Sequence, residues 1–169
     1  MTKHSKPDKE ATLDSCVLID FFKADKNILE LIAKYVYPIY VVSPIIDEVN
    51  EIKNENELLD LGINIIEPEI EDAYLASQKQ SPLSFPDRIC LFVSKRYNYI
   101  CVTNDKKLRK TCKQDKISVM WGLELILKLY SEGGILKKDA ENFVKTIKNS
   151  NPKFINDKVF LDFMKKLKK

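Results

Sequence analysis

Apolar positions along the chain recur with two alternating periods. Residues 39–43, 63–66, 99–102 and 117–120 form short runs rich in β-branched and aromatic side chains with polar boundaries, and each predicts a buried strand; 11–13 predicts a shorter fifth one. Between them the spacing lengthens. Ile28, Leu31, Ile32 and Tyr35 stand at i, i+3, i+4, i+7, as do Leu123, Ile126, Leu127 and Tyr130, which predicts amphipathic helices. Residues 89–93 are apolar almost all round and predict a helix buried on more than one side. Ala140, Phe143, Val144 and Ile147, then Val159, Phe160, Phe163, Met164 and Leu167, mark closing helices over 137–150 and 157–167, with Gly133-Gly134 and Asn151-Pro152 as the breaks before them.

Strands alternating with helices imply parallel pairing through right-handed crossovers and a sheet covered on both faces. The expected architecture is α/β: a three-layer α/β/α fold with a central, mainly parallel sheet of about five strands. A flexible polar tail would occupy residues 1–10 and the main domain 11–135. Two extra C-terminal helices within 136–169 would pack on that same domain.

Composition fits this picture and removes chemistry from it. At 169 residues, 44% apolar and 31% charged, with 4 Gly and 7 Pro, the chain is neither disordered nor fibrous. No apolar run reaches the length of a bilayer crossing and the first residues are polar, so the expected location is the cytoplasm, with no membrane association. Cys16, Cys90, Cys101 and Cys112 show no CxxC pair and read as free structural thiols. The single histidine, His4, lies in the polar tail, which argues against a Ser/His/Asp triad, a Cys/His dyad or a His-containing zinc site.

Charge is segregated. Residues 47–72 carry ten acids against one lysine, while 88–116 carry nine Lys/Arg against two Asp, an arrangement compatible with a polyanion lying beside a metal-holding acid cluster. Solvated helix faces are the plain alternative. In a parallel sheet ligands bind at the carboxyl ends of the strands. Asp14 follows the first strand, Glu48 falls in the first turn of a helix opened by Pro44, Asp87 starts the helix leading into strand 99–102, and Asp105 comes just after that strand. Asp47, Glu67 and Glu69 pass the same filter, and Asp87 and Asp105 also have a simple use as helix-start acids.

The segments around the first four acids carry a resemblance. Thr12-Leu13-Asp14-Ser15-Cys16-Val17-Leu18-Ile19-Asp20, Ser43-Pro-Ile-Ile-Asp-Glu48-Val, Ser84-Phe-Pro-Asp87-Arg-Ile and Val102-Thr-Asn-Asp105-Lys-Lys-Leu108 resemble, in order, the acid-bearing motifs of PIN domains. The stretch from Trp121 to Ile135 and the two helices after it are similar to one prokaryotic PIN subgroup long described as a domain of unknown function. The resemblance implies a Mg²⁺- or Mn²⁺-dependent ribonuclease, with RNA as substrate. It also implies that the chain is a candidate for the toxin, of VapC type, in a toxin–antitoxin pair with a cognate antitoxin protein as partner. By the same likeness Asp14 and Asp105 are direct metal ligands, and Glu48 and Asp87 ligands through water or to a second ion. Thr103 and Ser15 would be hydroxyls that bind water or phosphate. Arg88, Lys106, Lys107 and Arg109 are candidates for holding substrate phosphates, with surface lysines as the alternative.

Cys16 departs from the family pattern, which often has Asn there, and a thiol lacks an amide's hydrogen bonds. That opens a second reading, a catalytically weak or inactive PIN-fold module that binds RNA or a protein partner. PIN domains often form homodimers, for which helices 28–37 and 123–130 are candidate faces, although equally candidate core. A receiver domain fits poorly, because no paired acids follow the first strand and Glu67-Pro68 follows the third. A flavodoxin-like fold fits no better, because no Gly- or Ser/Thr-rich phosphate loop is present.

Overall fold

The computed structural model describes residues 9–78 and 81–169, so His4 and most of the expected tail lie outside the described residues. The chain runs β1 (Ala11–Leu13), α1 (Ser15–Asp25), α2 (Asn27–Tyr35), β2 (Ile39–Val42), α3 (Ser43–Ile46), α4 (Asn56–Asp60), β3 (Asn64–Ile66) and α5 (Ile70–Ser77). It continues with α6 (Phe85–Tyr97), β4 (Ile100–Val102), α7 (Lys106–Gln114), β5 (Val119–Met120), α8 (Gly122–Ser131), α9 (Lys137–Ser150) and α10 (Asp157–Lys166). The five strands make one parallel sheet in the order β3-β2-β1-β4-β5, with Ala11 opposite Ile39 on one side and Ile100 on the other.

Strand order reverses at β1, because the chain first builds leftward through β2 and β3 and then returns across the sheet to β4. Such a switch point opens a crevice at the carboxyl ends of β1 and β4. Helix α6 covers β1, β2 and β4 and packs on α5 and α7, while α1, α2, α8 and α9 pack on one another as the second helical layer. The stripes of α2 and α8 meet each other there: Ile28, Leu29 and Ile32 on one helix and Leu125, Ile126 and Leu129 on the other are buried core. The closing helices α9 and α10 pack in turn, α9 against α1 with Phe143 edge-on to Phe21 at 5.2 Å, and α10 against α8 and α9.

Three strands start later than their apolar runs predict, for one shared reason. Ile63, Tyr99 and Ile117 donate their N–H groups back to Leu58, Ser94 and Cys112 at 3.0, 2.9 and 2.8 Å, closing the ends of α4, α6 and α7 instead of joining the sheet. Each follows a residue in the left-handed region, Gly62 (φ 74°), Asn98 (φ 56°) or Lys116 (φ 57°). This is the Schellman ending, and its apolar residue after the left-handed one looks like strand sequence. The short helices α4 and α5 carry no periodicity long enough to have been read. Among the described residues no helix is long and apolar enough to cross a membrane. The cysteines are free thiols; Cys90, Cys101 and Cys112 are buried and Cys16 is half-buried.

Candidate active site

Asp14 continues the β1 ladder by one bond, its N–H donating to the Val102 carbonyl at 3.0 Å, and then turns the chain into α1 as its N-cap. Its carboxylate is buried and fully engaged. Oδ1 accepts from the Ser15 N–H at 2.8 Å, while Oδ2 accepts from the Thr103 hydroxyl at 2.7 Å and the Cys16 thiol at 3.1 Å. Thr103 comes from the neighbouring strand end, which is why β1 and β4 must be adjacent for this contact to exist. The Thr103 oxygen also accepts from the Asp105 N–H at 3.0 Å, so one hydroxyl ties the two acids together. Asp105 caps α7, accepting from the Leu108 N–H at 2.8 Å.

Asp87 belongs to a capping box at the start of α6. Ser84 N–H donates to Asp87 Oδ2 at 3.1 Å, and Asp87 N–H donates to Ser84 Oγ at 3.2 Å. Glu48 is not in a helix, contrary to the sequence expectation: α3 ends at Ile46, and Glu48 occupies the exposed turn beyond it, where the Ser15 side chain helps to favour its ionised form. Two of the other acids that passed the topological filter have partners outside this cluster. Glu67 accepts from the Ser43 hydroxyl at 2.7 Å and Glu69 from Tyr97 at 3.3 Å, and Asp47 is exposed at the end of α3.

Electrostatics group the site acids in the same way. Burial pushes the Asp14 carboxyl above the usual carboxylate range against the pull of its hydrogen bonds, and the charge of Asp87 adds to the rise. Desolvation raises Glu48 too, with Asp87 and Asp14 both adding to it. Asp14, Glu48 and Asp87 therefore share one field, and Thr103, which bonds the Asp14 carboxylate, also holds the backbone N–H of Asp105. Cys16, at the position where many family members carry Asn, is held as a neutral thiol chiefly by burial and by the negative charge of Asp14. It also accepts from the Asn104 N–H at 3.4 Å, so the thiol supplies one donor and one acceptor to this network.

The cationic candidates divide. Lys106 and Lys107 are exposed at the start of α7. Arg88 is buried: its Nε donates to the Ala76 carbonyl at 2.5 Å and its Nη1 to the Leu83 carbonyl at 2.6 Å, so it is committed to backbone and not available to a phosphate. Arg109 is largely buried as well, lying 3.5 Å over the Trp121 ring and donating to the Thr103 carbonyl at 3.4 Å. Desolvation lowers its guanidinium pKa, with Glu124 the leading counter-influence.

Sequence reasoning missed a second polar cluster behind the acids. Asp20, on the buried side of α1, accepts from Asn151 at 3.1 Å and from Asn104 at 3.5 Å, and the Asn104 side-chain oxygen accepts from the Gly122 N–H at 3.0 Å. This ties the segment between Thr103 and Asp105 to α8 and to the end of α9. The signal was present as an ionisable residue inside the apolar run 17–22. Burial raises the Asp20 carboxyl, opposed by Asn151, Lys23 and Asn104.

Asp14, Asp20 and Glu48 thus shift in one direction, upward. A raised folded-state value means that folding favours the protonated form. The corresponding stability is fully present below the unfolded values, about pH 4, and is lost as pH rises through the folded ones. The melting midpoint is therefore expected to fall between mildly acidic and neutral pH. Melting curves across that range check it, and Glu48→Gln should flatten the slope; a midpoint that climbs throughout the range would contradict the assignment.

Among the described residues no three His, Cys, Asp or Glu side chains already stand close enough to enclose one ion. The donor chemistry nevertheless suits a hard divalent cation, since the cluster offers carboxylate and hydroxyl oxygens and its one sulfur is held as a neutral thiol. Comparison with known families bears on this directly. A family model described as a PIN domain matches residues 10–169. The chain belongs to the PIN-domain family. PIN domains are generally nucleases that typically use divalent metals, which places this chain in the nuclease class with nucleic acid as its kind of substrate. No curated protein matches the chain closely enough to add to this.

Proposed function

We propose that this PIN domain is a metal-dependent endoribonuclease that hydrolyses RNA phosphodiester bonds with Mg²⁺ or Mn²⁺. The observation that carries the reading is the carboxylates of Asp14, Glu48 and Asp87 acting on one another, with the Thr103 hydroxyl bonding Asp14 and fixing the backbone of Asp105 beside them. Cleaving a phosphodiester brings an anionic nucleophile to an anionic phosphate, so most of the barrier is electrostatic. A bound divalent ion reduces both repulsions and lowers the pKa of a coordinated water.

The protein's own groups do the rest. Asp14 and Asp105 would hold the ion directly, and Glu48 and Asp87 through water or at a second position. Thr103 orients the Asp14 carboxylate and, through the Asp105 N–H, the loop that carries the second acid. Ser15 positions Glu48, the most exposed carboxylate and the one best placed to reach solvent. Lys106 and Lys107, immediately after Asp105, supply charge beside the acids for the backbone phosphates.

The test is cleavage of a labelled single-stranded RNA in Mg²⁺, in Mn²⁺ and in EDTA. Cleavage with either ion and none in EDTA is the expected result. Equal cleavage in EDTA, or an intact RNA under all three conditions, would sink the proposal.

A further inference from the structure

Two cavities meet at Trp121. One, of about 490 Å³, runs along α7 past Lys106, Arg109, Lys110 and Lys113. The other, of about 430 Å³, opens between α8 and α10 and is floored by Trp121, Phe154 and Phe163, with Lys153 and Lys166 among its margins. Lys106 and Trp121 line both, and Lys106 is the residue after Asp105, so the groove begins beside the carboxylate cluster. Arg109 covers one face of the Trp121 ring, and Phe154 stands 5.9 Å from its centroid. Of the acids lining the second cavity, Glu124 is occupied by the Trp121 N–H at 2.7 Å and lies in the field of Arg109, leaving Asp162 at the rim.

Resting on the ribonuclease reading, we propose that this groove binds the single-stranded RNA on one side of the cut, seating an unpaired base against Trp121 and Phe154 and its phosphates on Lys106, Lys153 and Lys166. Aromatic rings set among separate cations are the pattern of single-strand sites, where bases stack and the backbone follows positive charge. A pocket of this size is ample for one nucleotide. An acidic helix from a protein partner would ask for a longer apolar strip with anchors every turn, and the lysines interrupt one here. The pocket's outer wall comes from residues 153–166, so the loop after α9 and helix α10 contribute to substrate binding.

Trp121 is the single tryptophan of the chain, so its emission reports on the groove where the two cavities meet. A five-nucleotide RNA of mixed sequence, titrated in EDTA, should change that emission saturably, and inorganic polyphosphate should not. Lys153→Ala with Lys166→Ala, both at exposed positions, should weaken binding roughly tenfold and make the salt dependence shallower by about 0.7 per lost phosphate contact. Phe154→Leu should weaken binding by a similar factor. RNA binding without an emission change, equal affinity in the lysine variant, or the same emission change with polyphosphate would overturn the proposal. The nuclease reading fails separately: binding with the emission change but no cleavage in metal defeats that reading alone, and cleavage without the change defeats the pocket alone.

Discussion

Asp14→Asn is expected to lower RNA cleavage by roughly 10²- to 10³-fold, the scale seen when a group that stabilises developing charge is removed from an active centre. The same change should make the folded protein more stable at neutral pH. Asp14 is almost fully buried and its carboxyl is shifted upward, so its surroundings in the native state disfavour the ionised form. An amide keeps the shape, its oxygen can still accept from the Ser15 N–H while its NH₂ meets the Thr103 hydroxyl, which must turn to accept, and it removes the repulsion with Asp87 and Glu48. Each kcal/mol relieved would raise the melting midpoint by about 2–4 °C in a chain of this size. Steady-state cleavage and thermal melts on the same preparations check both halves. A variant that is inactive and also less stable would indicate that the carboxylate serves the fold before it serves the chemistry.

The largest loss of stability is expected at Arg88. Its guanidinium is buried and donates to the carbonyls of Ala76, near the end of α5, and Leu83, in the segment leading into α6. Arg88→Met would fit the space and leave both carbonyls without these donors. At about 1–3 kcal/mol for each unsatisfied buried group, the melting midpoint should fall by roughly 5–15 °C. Arg88→Lys should fall between, because an ammonium keeps the charge but not the planar two-pronged geometry. A melt of Arg88→Met indistinguishable from wild type would show that water reaches these carbonyls readily.

How far the chain could be read from its sequence differs between fold and site. Strand and helix periods were enough for a parallel five-stranded sheet between helical layers, because buried strands and amphipathic helices write different spacings. Strand starts were misread where Ile63, Tyr99 and Ile117 close helices, since a Schellman ending and a strand both favour an apolar residue after a turn. Asp14, Glu48, Asp87 and Asp105 could be placed at one edge from topology, yet topology could not separate Glu48 from Asp47, Glu67 or Glu69; what groups Glu48 with Asp14 and Asp87 is the charge each places on the other. Arg88 and Arg109 are buried where the sequence offers no sign of it, because local sequence does not tell a buried guanidinium with carbonyl or aromatic partners from one facing solvent. Asp20 went unnoticed for the converse reason, its amide partners Asn104 and Asn151 being remote in sequence.

Three of the site acids stand at helix beginnings: Asp14 before α1, Asp87 in the first turn of α6 and Asp105 before α7. Aligned peptide dipoles give each such end about half a positive elementary charge. Taken together the three ends amount to a diffuse, permanent cation of about the same order as a singly or doubly charged ion, built from backbone and impossible to wash away. The acids can therefore assemble before any metal arrives. A divalent cation held at the proposed site would compete with that standing field for the same oxygens, so its net gain would be smaller than four free carboxylates would offer. Such a centre would hold its ion weakly, with occupancy following the surrounding concentration rather than being fixed when the chain folds.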